Sequence, residues 1–305
     1  MADTIEGVIT ALVTPFTLSG QVDEEAVRRL VRRQLEGGVT GIAAAASTGE
    51  GAALEPEEHA TVVRSVVEEV ERGDDDALVA AGIGLSSTDA ACRLGRRAAD
   101  NGADALLVSA PPYNKPPQRG IGEHFWAVAE AVDLPVILYN VPSRTAVEVS
   151  AETILELAQE PSFVAVKEAS GDLGQVSRII AGRPPDFAVL SGDDLLTVPI
   201  VALGGDGVVA VISNQFPKLL VELVKAAREG RRSEASALHA RLLPLMEANF
   251  VESNPIPVKW TLAQAGLIDG CLRPPLTPLD ERHEDVIERA LNSVTVGQDP
   301  GGEAG

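Results

Sequence analysis

The chain has 305 residues, 45% of them hydrophobic, enough to bury one large core or two small ones. A net charge of −20 excludes the basic face that nucleic-acid binding demands, and the acid is spread along the chain as a solvated surface would be. No apolar run approaches the roughly 18 residues of a spanning helix, and "MADTIEG" lacks the basic and apolar regions of a signal peptide, so a cytoplasmic protein without a membrane partner is expected.

Short apolar runs bounded by Gly, Pro, Asn or Asp predict eight strands, at 8–16, 41–46, 77–84, 103–110, 135–140, 163–168, 187–192 and 207–212. Segments of helical period lie between them. One runs over 23–38 with Asp23 as N-cap, and a second over 55–73 with Pro56 in its first turn and Gly73 at its end. Further helices are predicted at 86–102 and 150–160. Strands that are apolar on consecutive positions, alternating with amphipathic helices, indicate a parallel sheet covered by helices. Eight such units predict an α/β (β/α)8 barrel over 1–215. A doubly wound open sheet is the alternative, but "GIG" at Gly82 and Gly84 lacks the third glycine and the acidic residue of a dinucleotide fingerprint. Helical patterns at 217–230, 232–250, 254–266 and 279–293 predict a C-terminal helical cap over 216–293, followed by a disordered tail at 294–305.

In such a barrel the chemistry gathers at the carboxyl ends of the strands. There the chain places "STGE" (47–50), "PPYNKP" (111–116), Tyr139 and Asn140, Lys167, "SGDD" (191–194) and "SN" (213–214). Of the five lysines only Lys167 completes an apolar strand; Lys115 lies in a Pro-rich loop, Lys218 and Lys225 on exposed helix positions, and Lys259 in the cap. Apolar surroundings disfavour an ammonium and free amine to attack a carbonyl. The competing reading is a lysine paired with Glu168 or another carboxylate. Tyr139, one of only two tyrosines, closes the neighbouring strand, within proton-exchange reach of a strand-six amine, although a tyrosine in "VILYN" also suits plain core. Ser47 and Thr48 suit either a proton relay or a turn, and Glu50 either a site or a helix N-terminal charge. Cys92 and Cys271 make neither a disulfide framework nor a metal cluster, and no His/Cys/Asp set has ligand spacing, so no metal is expected.

The motifs "STGE", "PPYNKP", "ILYNVPSRT", "VAVKEASGD", "LSGDD" and "FVESNPIPVKW" together resemble the dihydrodipicolinate synthase family, aldolase-like barrels of the N-acetylneuraminate lyase superfamily, from about residue 5 to residue 293. The resemblance implies a lyase of diaminopimelate and lysine biosynthesis that condenses pyruvate with aspartate semialdehyde. It uses no cofactor beyond a covalent pyruvate Schiff base on Lys167. It further implies a proton relay of Tyr139, Ser47 and Tyr113, the last reaching in from a neighbouring subunit of a homotetramer built from tight dimers. Thr48 would hold the pyruvate carboxylate, Arg144 the carboxylate of the aldehyde, and Gly192 and Val209 would line the pocket. Arg144 weighs against the superfamily's sugar-acid aldolases, which generally lack an arginine there. These relatives, acting on keto-deoxygluconate or N-acetylneuraminate, remain the alternative, and a non-catalytic barrel that binds a keto acid is the third reading.

The resemblance is not uniform. Ser47 stands where the family usually has threonine, which keeps the hydroxyl but matches the neuraminate lyases as well. The lysine-feedback site retains His59, whereas Pro56, Pro112, Ser86 and Ala90 replace its other expected groups. Weak or absent inhibition by lysine is expected. Twenty of the 25 basic residues are Arg, and this Asp/Glu-rich, Lys-poor surface suits a salt-rich cytoplasm.

Overall fold

The computed structural model describes residues 5–73 and 75–295. Eight strands pair in sequence order, each parallel to the next, and close into a barrel. They are β1 Gly7–Ala11, β2 Gly41–Ala44, β3 Leu78–Ile83, β4 Ala105–Ser109, β5 Val136–Asn140, β6 Phe163–Glu168, β7 Ala188–Ser191 and β8 Gly207–Ala210. The twelve α-helices among the described residues are α1 Glu24–Glu36, α2 Pro56–Arg72, α3 Thr88–Asp100, α4 Gln118–Ala131, α5 Pro142–Thr145, α6 Ala151–Leu157, α7 Leu173–Gly182, α8 Thr197–Ala202, α9 Pro217–Arg228, α10 Arg232–Ala248, α11 Ile256–Gln264 and α12 Glu284–Thr295. All eight expected strands and the (β/α)8 architecture are present.

Local chemistry explains where the helices begin. Asp23 accepts the Ala26 N–H at 3.0 Å, and Glu55 and Glu58 form a reciprocal capping box around Pro56. Both faces of the strands are buried, which is why they are apolar at consecutive positions. Outward residues such as Leu106, Ile42 and Phe163 pack under the helices, each stabilising the fold by about 1.5–3 kcal/mol. The inward set is smaller: Ala43, Ala80, Ala105, Ala165 and Ala188 alternate with Ile9, Leu107, Ile137, Leu190 and Val209. Small side chains here let the inner layers fill without forcing the barrel open.

Two expected boundaries move. Helix α9 packs against α1, α8 and β1, which makes it the eighth helix of the barrel layer, and its most extensive contact is with α10 of the cap, which it carries. Its apolar face has the same destination as those of the preceding helices, which its sequence pattern alone does not reveal. The separate cap consists of α10, α11 and α12. At the other end, Val294 and Thr295 belong to α12 rather than to a disordered tail: the Val294 side chain is buried and its carbonyl accepts from Arg241 at 2.9 Å. The rest of the expected tail, 296–305, lies outside the described residues. Among the described residues no helix is long and apolar enough to cross a membrane.

Candidate active site

Parallel pairing puts Tyr139 directly beside Lys167. Alternation along β6 turns Lys167 inward and Glu168 outward, so the two neighbours serve opposite faces. The Glu168 carboxylate accepts from Asn140 Nδ2 at 2.9 Å, from the Ser170 N–H at 2.7 Å and from Gln175 Nε2 at 3.3 Å. The pairing of Lys167 with Glu168 is thereby excluded. The Lys167 side chain is 4% exposed, and among the described residues no carboxylate lies within ion-pair distance of its amine. Its Nζ sits 4.3 Å from the centroid of the Tyr139 ring. The contact is with the ring face; no hydrogen bond joins the amine to the phenol oxygen.

Gly192 and Val209 complete the wall. A Cβ at Gly192 would stand 2.7 Å from Ala169 Cβ and 3.1 Å from Lys167 Cγ, so only glycine lets β7 close against the lysine stem. Val209 belongs to the same inner cluster as Tyr139 and Leu190. The acidic pair after β7 has a structural role. Asp194 accepts from the N–H groups of Val211 at 3.1 Å and Ile212 at 2.8 Å, fixing the chain beyond β8. Burial pushes its carboxyl up to about 6, against the lowering effect of those two N–H groups.

Tyr139 also lines a cavity of about 400 Å³ together with Ser47, Arg144 and Asn254; Lys167, Gly192 and Val209 lie behind Tyr139 and are not part of its lining. Ser47 and Thr48 sit in the tight loop after β2, where Ala45 and Glu50 adopt φ of +51° and +55°. A Cβ at Gly51 would meet Ala45 O at 1.9 Å, so the loop folds back on itself only with glycine there. Thr48 is buried and receives a hydrogen bond from Asn254 Nδ2 at 2.9 Å. Arg144, on α5, donates through Nη2 to the main-chain oxygen of the same Asn254 at 3.0 Å. Tyr113 is not brought into this cavity. Its ring is 88% exposed, although its N–H is held by Thr145 O at 3.2 Å and its φ is +73°.

Sequence reasoning missed the cap's contribution. Asn254 precedes α11, and Lys259 on α11 meets Glu50 in a fully buried ion pair of 2.6 Å. Lys259 also donates to Thr14 O at 2.9 Å and lies 4.4 Å from the Phe16 ring centroid. Burial pushes its ammonium below the ordinary lysine value, and Glu50 counteracts that. Glu50 Oε2 accepts from the Arg273 N–H at 2.9 Å. The cap thus anchors the loop that carries Ser47 and Thr48. The only prior signal was the "NPIPVKW" motif, which does not reveal what its polar residues face. Among the described residues no group of His, Cys, Asp or Glu side chains could hold a metal ion.

A buried amine without a carboxylate partner among the described residues, at the carboxyl end of a closed parallel barrel and against a tyrosine that lines a cavity with an arginine, fits a (β/α)8 lyase of the aldolase-like class. Comparison with known proteins takes the assignment further. Residues 4–294 match the Dihydrodipicolinate synthetase family, and the chain belongs to it. It is 44% identical over 291 residues to the 4-hydroxy-tetrahydrodipicolinate synthase of Chlorobium limicola, covering 95% of this chain and 97% of that one. With the same enzyme of Methanopyrus kandleri it shares 48% identity over 293 residues, covering 95% and 96%. Its fold matches the crystal structure of the Cyanidioschyzon merolae enzyme with lysine bound at a TM-score of 0.92, with 41% identity and coverage of 95% and 98%.

Proposed function

We propose that this chain acts as a 4-hydroxy-tetrahydrodipicolinate synthase through a Schiff base on Lys167, in diaminopimelate and lysine biosynthesis. The observation that carries the mechanism is the buried, carboxylate-free Lys167 amine against the Tyr139 ring. The Lys167 amine attacks C2 of pyruvate, and the carbinol oxygen takes up a proton and leaves as water, giving an iminium ion. Loss of a methyl proton yields the enamine, whose carbon bonds to the aldehyde carbon of L-aspartate semialdehyde while the aldehyde oxygen takes a proton. The amino group of the aldehyde substrate then attacks the iminium carbon, closes the ring and releases Lys167. No metal or cofactor enters these steps.

Tyr139 and Ser47 share the cavity and carry the protons in this reading, with Tyr113 supplied by a neighbouring subunit. The exposure of Tyr113 on a backbone-pinned turn supports a role outside its own cavity and, with it, a homotetramer of tight dimers. Thr48 holds the pyruvate carboxylate, and Gly192 and Val209 shape the pocket around it. Arg144 suits the carboxylate of the aldehyde, because a planar guanidinium offers two parallel donors. A cytoplasmic setting fits these substrates, and the Arg-biased acidic surface fits a saline one; activity highest in low salt would count against the latter.

Borohydride reduction in the presence of pyruvate, followed by mass mapping, tests the mechanism. An adduct on Lys167, absent from Lys167→Ala, is expected. An adduct elsewhere, or none, would overturn it.

A further inference from the structure

The amine assigned to the Schiff base is sealed. Lys167 is 4% exposed, and it does not line the cavity of about 400 Å³ that Tyr139 shares with Ser47 and Arg144. On one flank Gly192 closes so tightly that a Cβ there would stand 3.1 Å from Lys167 Cγ. Strand pairing of Lys167 with Tyr139 and with Leu190 fixes the backbone on both sides. What stands between the amine and the cavity is a side chain. The Tyr139 ring holds Nζ 4.3 Å from its centroid, and the same residue lines the cavity.

The cavity wall nearest this ring is built from small residues. Ser109 on β4 pairs directly with Tyr139, and Ala46 belongs to the same inner cluster. Gly84 comes next to Ser109, where a Cβ would stand 3.4 Å from the serine Oγ. All three line the cavity, as do Ala45 and Gly82. A larger side chain among them would take up room that a turned phenol ring needs. The Ser109 hydroxyl donates to Ala110 O at 3.1 Å, so it is satisfied within its own strand.

We propose that the Tyr139 ring is a gate: it turns off the Lys167 amine into the cavity, and pyruvate meets the amine only with the ring turned. The gate rests on the Schiff-base reading of Lys167 and adds the step that must precede it. Side-chain torsions suffice for the movement, because staggered rotamers interconvert without displacing the strands. A ring face attracts an ammonium group, which gives the shut arrangement an attraction of its own whenever the amine carries a proton. A shut gate also keeps stray aldehydes and ketones from consuming the amine.

Formaldehyde with cyanoborohydride methylates an amine it can reach, and mass mapping reads the rate at Lys167 without pyruvate. If the gate is open about 10% of the time or less, Tyr139→Ala should be methylated at Lys167 about 10-fold or more faster than wild type. Tyr139→Phe keeps the ring and should react at the wild-type rate. Ser109→Leu fills the space the ring turns into and should slow both this methylation and the borohydride-trapped pyruvate adduct about 10-fold. Ser109→Ala, which loses only the bond to Ala110 O, should slow neither. Gly84→Ala, whose Cβ makes an ordinary contact, narrows the same space and acts in the same direction where Ser109→Leu fails to fold. The gate is overturned if Tyr139→Ala reacts no faster than wild type, or if Ser109→Leu and Gly84→Ala leave both rates unchanged. A pyruvate adduct missing from Lys167 of wild type would instead refute the proposed function, while the methylation rates still decide the gate.

Discussion

The buried pair that joins the cap to the barrel gives the sharpest test of how this site is held. Glu50→Ala removes a carboxylate 2.6 Å from the Lys259 amine, where both side chains are out of contact with water. The stranded ammonium keeps Thr14 O at 2.9 Å and the face of Phe16 at 4.4 Å, and the Arg273 N–H loses its acceptor at 2.9 Å. Breaking one half of a buried pair costs about 3–5 kcal/mol. Lys259 is already pushed below its ordinary value by burial, so proton loss relieves part of the penalty and places the expected cost near the lower end, about 3 kcal/mol. The double variant Glu50→Ala, Lys259→Met replaces the stranded charge by an apolar side chain and is expected to recover about 1–2 kcal/mol of this. Urea denaturation followed by Trp260 fluorescence reads both, because Trp260 adjoins Lys259 on α11. In the folded variant the KM for pyruvate should rise, since Glu50 closes the loop that carries Ser47 and Thr48. A loss below about 1 kcal/mol for Glu50→Ala, or a double variant less stable than the single, would refute the reasoning.

Three further outcomes are expected. Gly192→Ala puts a Cβ 2.7 Å from Ala169 Cβ and 3.1 Å from Lys167 Cγ. Overpacking should cost about 1–3 kcal/mol, and displacement of the lysine stem should slow borohydride-trapped adduct formation about 10-fold or more; an unchanged trapping rate would contradict the packing. Asp194 is raised from 3.8 to about 6 in the folded state, so the stability it contributes is complete below pH 3.8 and is lost as the pH rises through about 6. Relative to the non-titrating Asp194→Asn, wild type should therefore lose about 2 kcal/mol between pH 4 and pH 7, and a pH-independent difference would refute this. Inhibition by L-lysine should be weak, because His59 Nε2 is held at Gly82 O at 2.9 Å and Ser86 Oγ donates to Pro112 O at 2.9 Å. Strong inhibition at sub-millimolar lysine would show a feedback site built from other groups.

The sequence by itself determined what depends on local spacing. Consecutive apolar residues marked the strands, and Asp23 and Pro56 marked helix starts, because caps and periodicity act over a few residues. The inward turn of Lys167 beside Tyr139 was also legible, since sequential parallel strands pair side by side and strand faces alternate. Only the tertiary structure decided the rest. That the amine meets the ring face rather than the phenol oxygen depends on side-chain rotamers that no pattern encodes. That α9 belongs to the barrel layer depends on closure between β8 and β1. That Asn254 touches Thr48 and Lys259 pairs with Glu50 depends on contacts more than 200 residues apart in the chain. Such pairs leave no periodic trace, because their partners are chosen by where the cap lands on the barrel rather than by what precedes them in sequence.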